Sequence, residues 1–409
     1  MIARDFPVFT VTSKAERSLR AGHPWVYGEE VTAVEGGYHN GDMVDVVSSK
    51  GRYLGTGWVN DHSKIRVRIL SRNANDIFDE AFFRRRVRYA LDYRKTVMGP
   101  TDYRCCRLIF GEADQFPGLT VDRFENVLVT QTLSLGMEQR KEWVFRALVE
   151  GLREDGAEIA ALYERNDVAI RELEGLRQNK GFYPLEGGLR DHLDGHVIIT
   201  ENGLRYDVDY IEGQKTGFFL DQKYNRQAAA RLAQDRRVLD CFTHTGAFAL
   251  NAAAAGAAHV TAVDVSQFAL ELAAENGRRN GLTNLDYLCA DVFDLLTRMA
   301  REKKCDYDYI ILDPPAFTKS RATADRAYHG YKEINLKAMR LLPRGGYLAT
   351  CSCSHFMSDE MFRRMLREAA QDAGVTLRQI EARQQAPDHP ILPGVPETDY
   401  LKFYLLQVV

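Results

Sequence analysis

From about residue 191 onward, short apolar strands alternate with helical stretches, and four successive strands each close on an aspartate. The strands read at Arg237 to Phe242, Val260 to Val265, Leu285 to Ala290, Tyr307 to Leu312 and Tyr347 to Cys351. Between them, one helical stretch runs from Gly246 to Ala255 and stops at Gly256. Another follows Ser266, a good N-cap residue, and ends at Gly281. Alternation of this kind predicts an α/β fold, a parallel, doubly wound sheet with helices on both faces. The tail, Tyr400 to Val408, reads as one more strand that closes the sheet.

In such a sheet, ligands sit beyond the carboxyl ends of the strands, near the point where strand order reverses. Asp240 ends the first strand in VLDCFTHTGAF, Asp264 the second in VTAVDVS, Asp291 the third in YLCADVF and Asp313 the fourth in IILDPPAF. Asp264 lies 24 residues beyond Asp240, the offset at which an acidic residue grips ribose hydroxyls. The first turn carries only Gly246 where a dinucleotide fold shows GxGxxG. One glycine lets backbone approach a ligand without building a pyrophosphate cradle. S-adenosylmethionine offers ribose and adenine but no phosphate, so the pattern favours a methyl donor over a nicotinamide. A single strand-terminal aspartate is as readily a helix cap or turn former. The reading rests on four in register with one glycine turn.

Asp313-Pro314-Pro315 follows an apolar strand, and Phe317 comes two residues later. Two prolines fix an extended turn with no N–H to donate. The turn would hold a carboxylate and an aromatic ring where a flat base could stack and be hydrogen-bonded. The plainer reading is a structural loop. The fifth strand runs into Thr350-Cys351-Ser352-Cys353-Ser354, placing thiols beside the same mouth as candidate nucleophiles. Carbon 5 of cytosine is a poor nucleophile. A thiolate adding to carbon 6 builds electron density at carbon 5, and a base must later remove the carbon 5 proton. Against this stands the ordinary role of buried cysteine as a small hydrophobe.

The remaining chain is organised differently. Residues 1–72 alternate apolar and polar residues around Gly36-Gly37, Asn40-Gly41 and Lys50-Gly51, predicting a small β-barrel. Residues 73–190 read as a middle α+β domain: a helix from Asp76 to Val97, a strand pair over Leu119 to Leu133 turning at 122–126, a helix through Trp143 and Leu152, and a strand at Ile159 to Glu164. Residues 191–409 form the cofactor domain. Between Arg84 and Arg107, eight cations face two anions. That stripe either follows a phosphate backbone or is a solvated helix face. Net charge is −3, so any attraction for nucleic acid must be local. The seven cysteines are scattered with no CxxC pair, excluding a zinc knuckle or disulfide framework, and no metal site is expected. No apolar run spans a bilayer and MIARDFPVF lacks leader character, so the expectation is a cytoplasmic protein with no membrane partner.

These residues resemble the bacterial large-subunit rRNA cytosine-5 methyltransferases of the RlmI type, over essentially the whole chain. The likeness rests on His23-Pro24-Trp25-Val26, GEADQFPGLTVDRF from Gly111, TGFFLDQ ending at Gln222, Asp313-Pro314-Pro315-Ala316-Phe317 and Ser352-Cys353-Ser354. It implies an RNA-binding PUA domain at residues 1–72, an RNA-clamping middle domain and a class I methyltransferase domain using S-adenosylmethionine. The implied partner is 23S rRNA, naked or partly assembled, with a homodimer left open. Cofactor contacts would come from Gln222, from Asp240 through Phe242 and Thr243 to Gly246, from Asp264 and Ser266, from Asp291 and Val292, and from Asp313. Pro314, Pro315 and Phe317 would face the substrate. Within the family the nucleophile corresponds to Cys353, with Asp313 beside it; Thr350-Cys351-Ser352 also matches a signature of the wider RNA cytosine-5 enzymes, so Cys351 is a rival. Those enzymes carry a second cysteine where this chain has Ala316, leaving the base for product release unnamed.

Three other readings compete. Methylation of an exocyclic amine of adenine or guanine would use Asp313 and Phe317 and need no thiol. An RNA-binding assembly factor on an inactive methyltransferase fold is opposed by intact Asp240, Gly246, Asp264 and Asp313. A nicotinamide dehydrogenase is opposed by the missing glycine fingerprint.

Overall fold

The computed structural model describes residues 5–185, 189–302, 305–318 and 323–409, so the first residues of the segment read for a leader lie outside it. Contacts group the chain into two compact units: residues 1–199, 208–220 and 387–398 in one, and residues 200–207, 221–386 and 399–409 in the other.

The first unit opens with a mixed sheet. Its strands are β1 (Val8–Val11), β2 (Trp25–Tyr27), β3 (Val31–Glu35), β4 (Met43–Ser48), β5 (Tyr53–Val59) and β6 (Ile65–Ser71), in the order β2-β6-β5-β4-β1-β3. Helix α1 (Ser13–Arg20) starts where the Thr12 hydroxyl accepts the Ala15 N–H. Alternate strand residues (Phe9, Val11, Val44, Val46, Val67, Ile69) and Leu19 of α1 form one apolar core, the period-two pattern of the sequence made physical.

A second sheet follows in the same unit. It holds β7 (Cys105–Phe110), β8 (Leu119–Phe124), β9 (Val127–Thr132), β10 (Ala161–Asn166) and β11 (Asn179–Phe182), ordered β11-β10-β9-β8-β7. Its helices are α2 (Glu80–Val97), the short α3 (Leu135–Glu138) and α4 (Lys141–Glu154). The β8–β9 turn occupies only Glu125 and Asn126, with Glu125 at φ 54°, tighter than the sequence suggested. Helix α2 begins at Glu80 because the Asp79 carboxylate caps it through the Phe82 N–H.

The arginines of α2 do not line one free face. Arg94 is fully buried and forks onto Asp114, while its neighbours reach carboxylates far away in sequence. Arg107 grips buried Asp122 at 2.7 and 2.8 Å, Arg88 and Lys95 share Asp155, Arg84 pairs with Glu150 and Arg104 with Glu125. Arg86 lies over the Phe82 ring and donates to the Gln115 carbonyl. The counter-charges were invisible to a local count because folding delivers them from β8 and α4.

In the second unit a hairpin of β12 (His196–Glu201) and β13 (Leu204–Asp209) leads to α5 (Lys223–Ala230). The alternating run then gives β14 (Arg237–Cys241), α6 (Ala247–Ala254), β15 (His259–Asp264), α7 (Gln267–Arg279), β16 (Leu285–Cys289), α8 (Val292–Glu302), β17 (Tyr309–Leu312), α9 (Ala324–Leu341), β18 (Tyr347–Ser352), α10 (Asp359–Ala373), β19 (Leu377–Arg383) and β20 (Lys402–Val408). The seven-stranded sheet has the order β16-β15-β14-β17-β18-β20-β19, with the first five strands parallel. The order in which strands are added to the sheet reverses between β14 and β17. One face packs on α5 and α6, the other on α8, α9 and α10. The tail strand is not at the border: β20 inserts antiparallel between β18 and β19, and polar β19 forms the edge. Among the described residues, no helix is long and apolar enough to cross a membrane.

Candidate active site

Register decides which side chains meet at the strand ends. Cys241 pairs with Val263 and with Leu312, Asp264 with Cys289, and Leu312 with Thr350. One residue further, the next row holds Phe242, Asp264, Asp313 and Cys351. Side chains alternate across a strand, so Asp264, Asp313 and Cys351 fall on the face of Ala262, Ile311 and Ala349, the face covered by α5 and α6. Asp240, paired with Ala262 and Ile311, lies on that face one row deeper.

The turn joining β14 to α6 has three left-handed residues, Phe242 (φ 63°), His244 (φ 52°) and Gly246 (φ 84°). Non-glycine residues adopt that conformation only when surroundings impose it. Here the Thr243 hydroxyl bonds Asp240 Oδ2 at 2.5 Å, the Thr243 N–H bonds the Val263 carbonyl, and the His244 N–H donates to Asp264 Oδ2 at 2.9 Å. Gly246 is required by packing as well as by φ: a Cβ there would lie 2.7 Å from Leu250 Cδ1 and 2.9 Å from Ala273 Cβ. The glycine expected to admit a ligand also lets α6 and α7 approach each other.

Asp240 is completely buried. Its Oδ1 has no hydrogen-bond partner among the described residues, and its pKa is pushed up to about 7 by burial, with Asp313 and Asp264 adding to the rise. Buried acceptors are almost always paired, so this oxygen is prepared for a donor from elsewhere. Asp313, partly exposed at the residue level, is raised to about 6, chiefly by burial of its carboxyl and then by Asp221. Gln222 donates to Asp313 Oδ1 at 2.9 Å, and a relay orients that amide: Asn225 donates to Gln222 Oε1, and Arg383 to Asn225 Oδ1. Asp264 keeps acceptor capacity on both oxygens, each taking one N–H, from His244 and from Ser266. Ser266 itself caps α7 through the Ala269 N–H.

The other expected contacts sit in varied surroundings. Asp291 stands two residues beyond β16, exposed, and accepts the Asp294 N–H in the first turn of α8. Val292 is sealed in the core of the opposite face. Phe242 and Phe317 pack against that same core, Phe317 with ring centroids 4.5 Å from Tyr331 and 5.7 Å from Phe293. Pro314 is buried, and Pro315 is the exposed residue among the described residues 313–318.

The two thiols differ sharply. Cys351 is fully buried, packed on the apolar core and in contact with the Gln222 amide and the Asp313 carboxyl, and burial, then Asp313, drives its pKa far above the ordinary thiol value. Cys353, two residues on and past the end of β18, is partly exposed, with Sγ 3.9 Å from the Pro314 carbonyl. Ser354 beside it donates its hydroxyl to the Thr318 carbonyl and accepts Lys402 Nζ at its own carbonyl, 2.8 Å away. Asn225, Arg383, Tyr400 (whose hydroxyl bonds Asp221 at 2.6 Å) and Lys402 were not foreseen. Of these, only Lys402 left a trace: a lysine opening the apolar tail strand.

A reversed strand order 3-2-1-4-5 with an antiparallel strand inserted beside it, and an acid at the ends of the first two strands, defines a class I methyltransferase. A family model described as S-adenosylmethionine-dependent methyltransferase matches residues 188–406, and one described as PUA-like domain matches residues 9–72. The chain belongs to the S-adenosylmethionine-dependent methyltransferases, in the family of proteins named Ribosomal RNA large subunit methyltransferase I. It is 42% identical to the protein of that name from Shewanella denitrificans over 397 residues, covering 96% of this chain and 97% of that one. With the Klebsiella pneumoniae protein it shares 39% over 406 residues, 99% of both chains. Among solved structures, a sam-dependent methyltransferase from Streptococcus mutans superposes with a TM-score of 0.81 at 22% identity, covering 98% of this chain and all of that one. A methyltransferase complexed with SAH gives 0.82 at 21% identity, with 98% and 100% covered.

The residues fit the cofactor the family uses. S-adenosylmethionine carries an ammonium and a ribose diol, donors that the orphaned Asp240 oxygen and the unsatisfied lone pairs of Asp264 would accept.

Proposed function

We propose that this protein methylates carbon 5 of a cytosine in large-subunit (23S) ribosomal RNA, with Cys353 as the covalent nucleophile, acting in the cytoplasm. The observation that carries this reading is the contrast between the thiols. Cys351 is held protonated inside the core, whereas Cys353 is partly exposed at the loop that holds Asp313.

The bound cofactor supplies an electrophilic methyl group on a sulfonium. The chain's residues do the rest. Asp240 and Asp264 bind and orient, through the acceptors described above. Cys353 Sγ donates an electron pair to carbon 6 of the base, which makes carbon 5 nucleophilic. Asp313, raised to about 6, is mostly ionised at pH 7 yet close enough to neutrality to share a proton with N3 of the cytosine. Gln222 fixes the Asp313 carboxyl for that contact. Pro315 is the loop residue available to the base, because Phe317 is engaged by neighbouring rings. Residues 9–72 and the sheet of β7–β11 would hold the RNA, in keeping with the PUA-like match and with the substrate that the relatives' names carry.

Two measurements test this. Cys353→Ala should abolish turnover on protein-free 23S rRNA, a loss of at least a thousandfold, while Cys351→Ala retains it. Nucleoside mass spectrometry of rRNA from cells lacking the protein should show one 5-methylcytidine missing. Full activity in Cys353→Ala, or loss of a methylated exocyclic amine instead, would overturn the reading in favour of direct transfer to an amine.

A further inference from the structure

Antiparallel pairing sets Lys402, the first residue of β20, directly opposite Ser352, the residue before Cys353. Its side chain is buried, and Nζ donates to the Ser354 and Tyr400 carbonyls, each at 2.8 Å. The lysine thus grips the backbone on both sides of the thiol: Ser352 through the strand ladder, Ser354 through its side chain. A buried lysine at a strand terminus, aimed at the segment that carries the partly exposed Cys353, is costly as a packing residue. An apolar side chain would fill the space without the desolvation of an ammonium.

Resting on the reading of Cys353 as nucleophile, we infer that Lys402 is a positioning residue that keeps this thiol as thiolate and holds the Ser352–Ser354 turn against the Asp313 loop. The proton leaves Sγ and resides on Nζ, giving a thiolate–ammonium pair. Sγ then forms its bond to carbon 6. After methyl transfer a base takes the carbon 5 proton, the C5–H pair re-forms the 5,6 double bond, and the S–C6 pair returns to sulfur beside the same ammonium. Burial brings Lys402 down to about 8, while Asp399, Cys353 and Asp359 favour its charged form. Two carbonyl acceptors then favour the charged donor. Asp399 and Asp359 also face Lys402, while Cys351 and Tyr331 face Cys353. The two carboxylates support the ammonium, and the buried thiol and phenol add no competing charge near neutrality.

Alkylation by iodoacetamide tests the pair without turnover. Rates at Cys353 are followed by peptide mass spectrometry from pH 5.5 to 10 in the full chain, with exposed Cys289 as internal reference. Wild-type Cys353 should titrate at least one unit below Cys289. Lys402→Met should slow its alkylation about tenfold at pH 7 and shift its profile upward, and Lys402→Arg should restore both. An unchanged Cys353 profile in folded Lys402→Met overturns the inference. If that variant does not fold, a wild-type Cys353 titrating at or above Cys289 does so instead. A lowered Cys353 profile in a protein whose Cys353→Ala variant still turns over would leave the pair standing and remove only the covalent mechanism.

Discussion

A buried carboxyl with one unsatisfied oxygen is expensive, and Asp240 has such an oxygen among the described residues. Its cost has a pH signature. The unfolded carboxyl titrates near 3.8 and the folded one at about 7. Below about pH 4 both states are protonated and the residue costs nothing. As pH rises toward 7 the unfolded chain releases its proton while the folded chain retains it, so stability falls, and the loss is complete above about 7. Asp240→Asn removes that penalty. Its unfolding free energy should exceed wild type by a few kcal/mol (order of magnitude) at pH 8 and match it near pH 4, while S-adenosylhomocysteine binding measured by calorimetry drops below detection. A variant less stable than wild type at pH 8 would mean that the carboxylate is needed by the fold itself. Asp240, Asp264 and Asp313 were legible in the sequence because each follows an apolar run, and strand ends are where ligands meet a parallel sheet. The relay through Asn225 and Arg383 was not: its members are brought together by tertiary packing alone, and polar residues on a helix or an edge strand look like ordinary surface. Asp291 reads like the other acids in sequence, and its carboxylate also accepts an N–H in the first turn of a helix, roles that spacing cannot separate.

At the scale of elements, periodicity found the five parallel strands and the caps at Ser266 and Gly256, but it did not place the tail. LKFYLLQVV is apolar enough for an interior strand, and a sequence cannot say between which neighbours such a strand will sit. LRQIEAR, the true edge, alternates polar and apolar residues too weakly to stand out as a strand. The turn from β14 to α6 offers the sharpest test of local geometry. Gly246→Ala must place a Cβ against Leu250 and Ala273 at φ 84°. Left-handed strain and overpacking together should cost about 2–4 kcal/mol, read from denaturant midpoints. The contact with Ala273 Cβ makes a second arm available: in an Ala273→Gly background the added cost of Gly246→Ala should shrink. Equal cost in both backgrounds would assign the whole penalty to backbone conformation.

At the scale of the molecule, the chain divides by contacts in a way that sequence order does not reveal. Residues 208–220 and 387–398 belong with the N-terminal unit although both lie inside the methyltransferase half of the sequence. They carry Thr216, whose hydroxyl bonds Asp122, and Asp388, which accepts the Arg107 N–H. Segments joined by such long-range bonds have no local pattern to announce them. Every residue proposed to hold the cofactor, by contrast, lies in residues 221–386 of the other unit. Ligand that binds only the folded state stabilises what it must keep folded, by about 2.7 kcal/mol at a hundred times Kd, or about a hundredfold in protection. Hydrogen exchange with saturating S-adenosylhomocysteine should therefore slow peptides from β14, β15, β17 and the turn at Phe242 to Gly246 by up to that factor. Peptides from β1–β6 should exchange at unchanged rates, because the opening of one unit need not open the other. Equal protection of β1–β6 would show that the two units unfold as one cooperative body, and protection confined to β1–β6 would remove the cofactor site from the row of aspartates altogether.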